Sequence, residues 1–337
     1  MNAKERLLHT LNKEKTDRPA CICPGGMMNM VTAELMEEAG VSLPAAHSDA
    51  RMMADLAKAA YTSGCFENVG VPFCMTVEAE AMGAEVIMGS NIVEPHVSRY
   101  VIESVTEYGT LPVVDHTAGR AGVTVEAIRL LKNELDGVPI VGNLTGPVST
   151  TSSLIEPTIF FKELRKKNAE AHTYMAFITD QLIAFGLAQI EAGADVIAIS
   201  DPSGTGEILG PRYFEEFTVT YLNRLIRPLK AAGAKVIVHI CGQMRQVYPQ
   251  ADRIESDVLS FDSIVPIREA RQALPNRVLM GNISTYTLEF GEPEKIAVMT
   301  AFAADNGFDI ISPACGLGMK SPLCNIRAML QTLEDRV

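Results

Sequence analysis

From residue 120 onward, short runs rich in β-branched residues alternate with longer amphipathic stretches, and this alternation narrows the possible folds more than any other feature. It is the pattern of βα units laid around a parallel sheet. Six runs read as strands, at 139–143, 194–200, 235–241, 257–261, 277–282 and 308–312. Each is nearly all apolar, as a strand buried on both faces must be. In the first half, 20–23 and 67–71 supply two more strands, and 80–116 reads as a hairpin-like insertion. Eight such strands close a barrel. The expected fold is therefore α/β, a (β/α)8 TIM barrel with an irregular insertion in its N-terminal half. A chain of 337 residues fits one barrel of this kind, and no repeat, low-complexity tract or Pro/Gly/Ser-rich linker divides it. A single domain over 1–337 is expected.

Charge limits the partners. A formal charge of -12 opposes binding to a phosphate backbone or an anionic lipid surface, so nucleic acid and membrane are excluded as expected partners. No apolar run reaches the roughly 18 to 20 residues of a membrane span, and the opening MNAKERLLHTLNKEK is a charged amphipathic pattern without a secretory core. Seven cysteines, an odd number scattered along the chain, suit a reducing compartment better than a disulfide framework. A cytoplasmic protein is expected.

The strand ends carry the candidate chemistry. In a barrel the C-terminal ends of all strands share one rim, where active sites are built. Residues i and i+2 of a strand share a face, so His239 and Cys241 at the end of VIVHIC point the same way. Cys315 follows the last strand and reaches the same rim. Three ligands with one open position describe catalytic zinc, whereas structural zinc normally has four protein ligands. A His-x-Cys pair is also what a strand end carrying inert core residues looks like, so spacing alone leaves both readings open. Cys21 and Cys23 form a competing Cys-x-Cys pair. Asp201, Asn282 and Ser284 lie at rim positions where they either touch substrate or shape turns and helix caps. The Gly316-Leu317-Gly318 turn offers backbone N–H groups to an anion if a helix begins there. Methionines in PGGMMNM read as core filling.

Over nearly its whole length the chain resembles the uroporphyrinogen decarboxylase superfamily. The resemblance is carried by ERLLHTLNKEKTDRPA, NLTGPVSTTSSL, GADVIAISDPSGTGEILGPRYFEEF, VIVHICG and LPNRVLMGNIST. Within that superfamily it is similar to the methylcobamide:coenzyme M methyltransferases, marked by a His-x-Cys at one strand end and a distant Cys at another. His239, Cys241 and Cys315 match that motif. The resemblance implies a zinc ion on these three residues and methyl transfer from a methylated corrinoid, carried on a partner protein, to a small thiol such as coenzyme M. In those methyltransferases two acidic residues follow the sixth strand and one can occupy the open zinc position; this chain departs from that pattern, reading Phe261-Asp262-Ser263, so either Asp262 or water takes the fourth position. The decarboxylases hold substrate carboxylates with arginines just after the opening Pro, but CICPGGMMNM contains none, which disfavours a decarboxylase. No Asp-x-His-x-x-Gly corrinoid motif is present, so the cobamide arrives on a separate protein. Another thiol or a folate as acceptor, or a noncatalytic barrel that binds a corrinoid protein, are the alternatives that the residues leave open.

Overall fold

A computed structural model of the chain describes residues 1–336; Val337, the last residue of the expected domain, lies outside the described residues. Eight parallel strands form the sheet: β1 (Ala20–Cys21), β2 (Val69–Val71), β5 (Ile140–Thr145), β6 (Val196–Ser200), β7 (Lys235–Ile240), β8 (Val258–Phe261), β9 (Val278–Ile283) and β10 (Ile310–Pro313). The remaining two, β3 (Glu85–Ile87) and β4 (His96–Arg99), pair antiparallel as a separate hairpin within the expected 80–116 insertion. The sheet runs β1-β10-β9-β8-β7-β6-β5-β2. Residues of its interior strands are buried almost without exception, which is why they read as continuous apolar runs.

Side chains close the curl between β1 and β2. Cys23 N–H donates to Asn68 Oδ1 at 2.9 Å, and Asn68 Nδ2 donates back to the Cys23 carbonyl at 2.8 Å. Below them the Glu67 N–H donates to the Cys21 carbonyl at 2.8 Å, and the Glu67 carboxylate accepts from Cys21 N–H at 2.8 Å. Buried backbone groups need partners, and here an amide and a carboxylate supply them where a regular ladder would otherwise run. The expected strand 20–23 is accordingly shorter, ending at Cys21. Glu67 also binds the buried Arg18 at 2.8 and 2.9 Å and Arg6, tying the first helix, Ala3–Leu11, to the barrel base.

The segment between β1 and β2 holds a buried histidine. His47 is 1% exposed, packs edge-on against Phe73, and its Nδ1 has no hydrogen-bond partner. Burial first, then the Arg120 charge, push its pKa down to about 4 from its ordinary 6.5. Because the native state resists a proton that the unfolded chain accepts, the stabilisation is whole above pH 6.5 and is lost as pH falls through about 4. Between pH 7 and pH 4.5 this should remove about 2 to 3 kcal/mol. In urea unfolding at the two pH values, a His47→Leu variant should lose less stability than the natural chain by that amount. An equal loss in both would refute this account.

Candidate metal centre

Alternation along β7 puts His239 and Cys241 on one face at the C-terminal rim, as expected. Cys315 lies two residues past β10, three strands along the sheet, and the curl brings it back to the pair. The ligand atoms of His239, Cys241 and Cys315 lie within 4.8 Å of one another. Among the described residues this is the group of His, Cys, Asp and Glu so arranged. His239 is 1% exposed, while both cysteines are only partly buried, so the cluster opens toward the barrel mouth.

The imidazole is held from behind. Ser260 sits opposite His239 in the β7–β8 register, and its hydroxyl lies 2.9 Å from Nδ1. That leaves Nε2 facing the sulfurs, 3.3 Å from Cys241 Sγ. Fixing the far nitrogen orients the ring and sets its tautomer, as such partners do for metal-bound histidines. The two thiols share a proton unequally. The Cys315 thiol is pulled down by a hydrogen bond from Cys241, and then by His239 and the Gly316 N–H; Cys241, as the donor, is pushed up. A cluster that already favours a thiolate, joined by an imidazole whose far nitrogen is held by Ser260, is the donor chemistry that zinc takes. The residues fit the ion.

The other rim residues fall into place individually. Asp201 is fully buried; its carboxylate accepts from Val148 N–H at 3.2 Å, Ser149 N–H at 2.8 Å and Ser149 Oγ at 2.6 Å. Burial pushes its pKa up and these donors oppose the shift. It caps the helix Pro147–Leu154. Ser284 caps Thr285–Phe290 through Thr287 N–H at 3.3 Å. Asn282 spends its amide protons on the Asp262 and Val265 carbonyls, at 2.8 and 2.9 Å. At these three positions the turn and cap reading accounts for the polar groups. Asp262 is not in the ligand cluster: its carboxylate accepts from Ile264 N–H and Ser263 Oγ, both at 3.2 Å, although its charge acts on Cys241.

The glycine turn corrects an expectation. No helix begins at Gly316 or Gly318; the next one, Leu323–Glu334, starts further on. Gly316 N–H serves Cys315, and Leu317 N–H donates to the Asn29 carbonyl at 2.9 Å. Gly316 is there for space, since a Cβ on it would lie 2.5 Å from the Met27 backbone carbonyl, whereas one on Gly318 would meet the movable end of the Glu289 side chain. Cys21 and Cys23 are buried, and Cys23 Sγ donates to the Met28 carbonyl at 3.0 Å. The competing pair is core. Met28 and Met30 are buried as well, in keeping with core filling.

Ser260 was not a sequence candidate, although a lone hydroxyl in the buried run VLSF beside the His239 strand was a usable signal. Replacing it with Ala should weaken zinc binding about 10- to 100-fold, the usual effect of removing such a support. Competition against a chelating dye would measure it. Unchanged affinity would mean that Ser260 does not orient the ligand.

A parallel barrel with two cysteines and a histidine converging at its mouth defines a class, TIM-barrel proteins with a candidate metal site at the rim. The profile described as Uroporphyrinogen decarboxylase (URO-D) matches residues 2–336, and the chain belongs to that family. It is 31% identical over 334 residues to a methylcobamide:CoM methyltransferase, MtbA, of Methanosarcina acetivorans, covering 98% of this chain and 97% of the relative. It is 31% identical over 337 residues to a second one, MtaA, of Methanosarcina barkeri, with coverage of 98% and 97%. A solved methyltransferase from Methanosarcina mazei matches with a TM-score of 0.93 at 29% identity, covering 100% of this chain and 99% of that one. Within its family, then, the chain is a methyltransferase. Among the described residues no helix is long and apolar enough to cross a membrane.

Proposed function

We propose that the protein transfers a methyl group from a methylated corrinoid, presented by a partner protein, to a small thiol held at a zinc ion on His239, Cys241 and Cys315. The observation that carries this is the convergence of those three ligand atoms within 4.8 Å at an open barrel mouth. The printed names of the relatives supply the donor class and make coenzyme M the first acceptor to try. When bound, zinc lowers the pKa of a thiol in its open position and keeps it nucleophilic at neutral pH. The chain does the rest. Cys241 and Cys315 as thiolates offset the metal's charge, and His239 completes the set with its tautomer held by Ser260. The mouth brings acceptor and methyl donor together, replacing a bimolecular encounter with a positioned one. The open position is left to water or to Asp262, whose charge acts on Cys241 from outside the cluster.

The test is an assay of the zinc-loaded protein with methylcobalamin and a panel of thiols, followed by detection of S-methylated product. Turnover with thiols, abolished by stripping the metal, is expected. If no thiol is methylated, or if metal removal leaves the rate unchanged, the proposal fails.

A further inference from the structure

Two exposed features stand on the mouth side of the barrel, on opposite lips. The first is aromatic. The short helix Thr285–Phe290 begins two residues past β9, and its Tyr286 and Phe290 stack on each other with ring centroids 4.9 Å apart. They are 73% and 65% exposed, so neither ring serves the core. The helix itself is anchored. Asn325 Nδ2 donates to the Leu288 and Gly291 carbonyls at 3.0 and 2.9 Å, and the Glu289 side chain packs against Gly318 of the Cys315 loop. The second feature is cationic and lies beyond β5, four strands from β9 in either direction round the ring. There the helix Pro157–Lys166 carries Lys162, Arg165 and Lys166, all exposed and without an ion-pair partner among the described residues. The helix after it, Asn168–Ala192, is about 37 Å long by its 25 residues and runs down past the roughly 17 Å of β6 to the base, which sets its start and the preceding helix at mouth level. Arg165 and Arg212 both lie over the ring of Tyr213, at 5.4 and 5.3 Å, joining this helix to the one after β6, Gly206–Tyr213. Most acids nearby are engaged: Glu163 pairs with Lys167, and Glu216 takes Asn168, His172 and, at 3.8 Å, Arg212, while Glu170 stands exposed one turn on.

Resting on the proposed function, we infer that these two lips are the docking surface of the corrinoid-carrying partner protein. Tyr286 and Phe290 seat in an apolar hollow of that partner, and Lys162, Arg165, Lys166 and Arg212 meet an acidic face of it. The reaction sets the occupant. A methyl group on a protein-bound cobalt reaches a sulfur at the open ligand position only if the carrier lies across the mouth, where it touches what stands on both sides. A second copy of this chain seated there would shut the donor out. An exposed aromatic pair on an anchored helix is what an interface uses as its centre, since it offers rigid area with little side-chain freedom to lose. Cations gathered on one lip of a chain whose net charge is -12 give an acidic carrier one attractive approach and turn it away from the rest of the surface. The aromatic lip then holds the carrier, and the cationic lip steers and orients it.

The experiment compares two donors on the zinc-loaded full chain: free methylcobalamin, and the methylated corrinoid protein of the source organism that the natural chain demethylates. One variant combines Tyr286→Ala with Phe290→Ala, and the other combines Lys162→Glu, Arg165→Glu and Lys166→Glu. In each, KM for the protein-bound donor should rise about tenfold or more, as loss of an interface anchor does, while the kinetics with free methylcobalamin should not change. Raising the salt from about 0.05 to about 0.5 M should erase the difference between the charge variant and the natural chain, and leave the aromatic deficit in place. A water-soluble carbodiimide should join Nζ of Lys162 or Lys166 to a carboxylate of the corrinoid protein as an amide, located by mass spectrometry. An unchanged KM in both variants, or the same loss with free methylcobalamin, would overturn the inference. An effect in one variant alone would overturn the two-lipped surface. Sedimentation showing a dimer of the natural chain that either variant dissolves would make this face a contact between copies, which also overturns it. Turnover with free methylcobalamin but with no corrinoid protein would count against the docking surface, whereas turnover with neither would defeat the proposed function, and the cross-link would still decide the surface.

Discussion

Replacing Cys241 or Cys315 with Ala should abolish zinc retention and methyl transfer together. The barrel should stay folded, because both side chains sit at the rim and are only partly buried. The natural chain should hold about one zinc, as three-ligand catalytic centres do. A cluster reduced to two ligands binds the ion too weakly to survive dialysis. Activity should then fall by roughly 10^3 or more, since positioning of reactants alone contributes several powers of ten. His239→Ala should show the same losses plus a stability loss of about 1 to 3 kcal/mol, because buried Ser260 is left without its partner. Metal content by elemental analysis, turnover, and the urea midpoints of metal-free proteins separate these effects. A double variant, Cys241→Ala with Cys315→Ala, that still holds stoichiometric zinc would refute the assignment.

Which parts of this molecule were legible in the sequence follows from how far each interaction reaches. The β-strands were legible because burial on both faces writes a continuous apolar run, a signal confined to a few neighbouring residues. The His239 and Cys241 pairing was legible for the same reason, since strand alternation is local. Cys315 needed one further assumption, closure of the sheet, before its rim position meant anything. Asn68 and Glu67 close the sheet by serving backbone groups some 45 residues away, and nothing in their own surroundings announces it.

Rim polar residues teach a related lesson. Asp201, Ser284 and Asn282 sit at strand ends, where a barrel exposes function and also must begin its helices. Each helix start leaves N–H groups without partners, so a polar side chain there has structural work before it has chemistry. Asp201 illustrates the balance, accepting from two backbone N–H groups and a hydroxyl at once. The three ligands differ in kind, because thiols and an imidazole drawn together at a mouth relieve no unpaired backbone group. Their convergence is what the proposed zinc site accounts for. The family supplies the barrel, and under the proposed function this choice of side chains supplies the chemistry.

Binding of the acceptor should release close to one proton per site near neutral pH. A free alkyl thiol has a pKa of about 8.5, so at pH 7 it arrives almost wholly protonated. If it occupies the open ligand position as a thiolate, that proton must leave, and metal binding of such groups is coupled to proton release for this reason. Calorimetry in two buffers of different ionisation enthalpy reads the number directly. The sign of the pH dependence is fixed: release stays near one well below the thiol's own pKa, falls to about half at that pKa, and vanishes above it, where the ligand is already deprotonated. A barrel that merely bound a corrinoid protein would have no means of deprotonating the thiol, and metal-stripped protein should show neither the release nor the affinity. Binding at pH 7 without proton release, or equal binding after the zinc is removed, would show that the thiol is not activated at His239, Cys241 and Cys315.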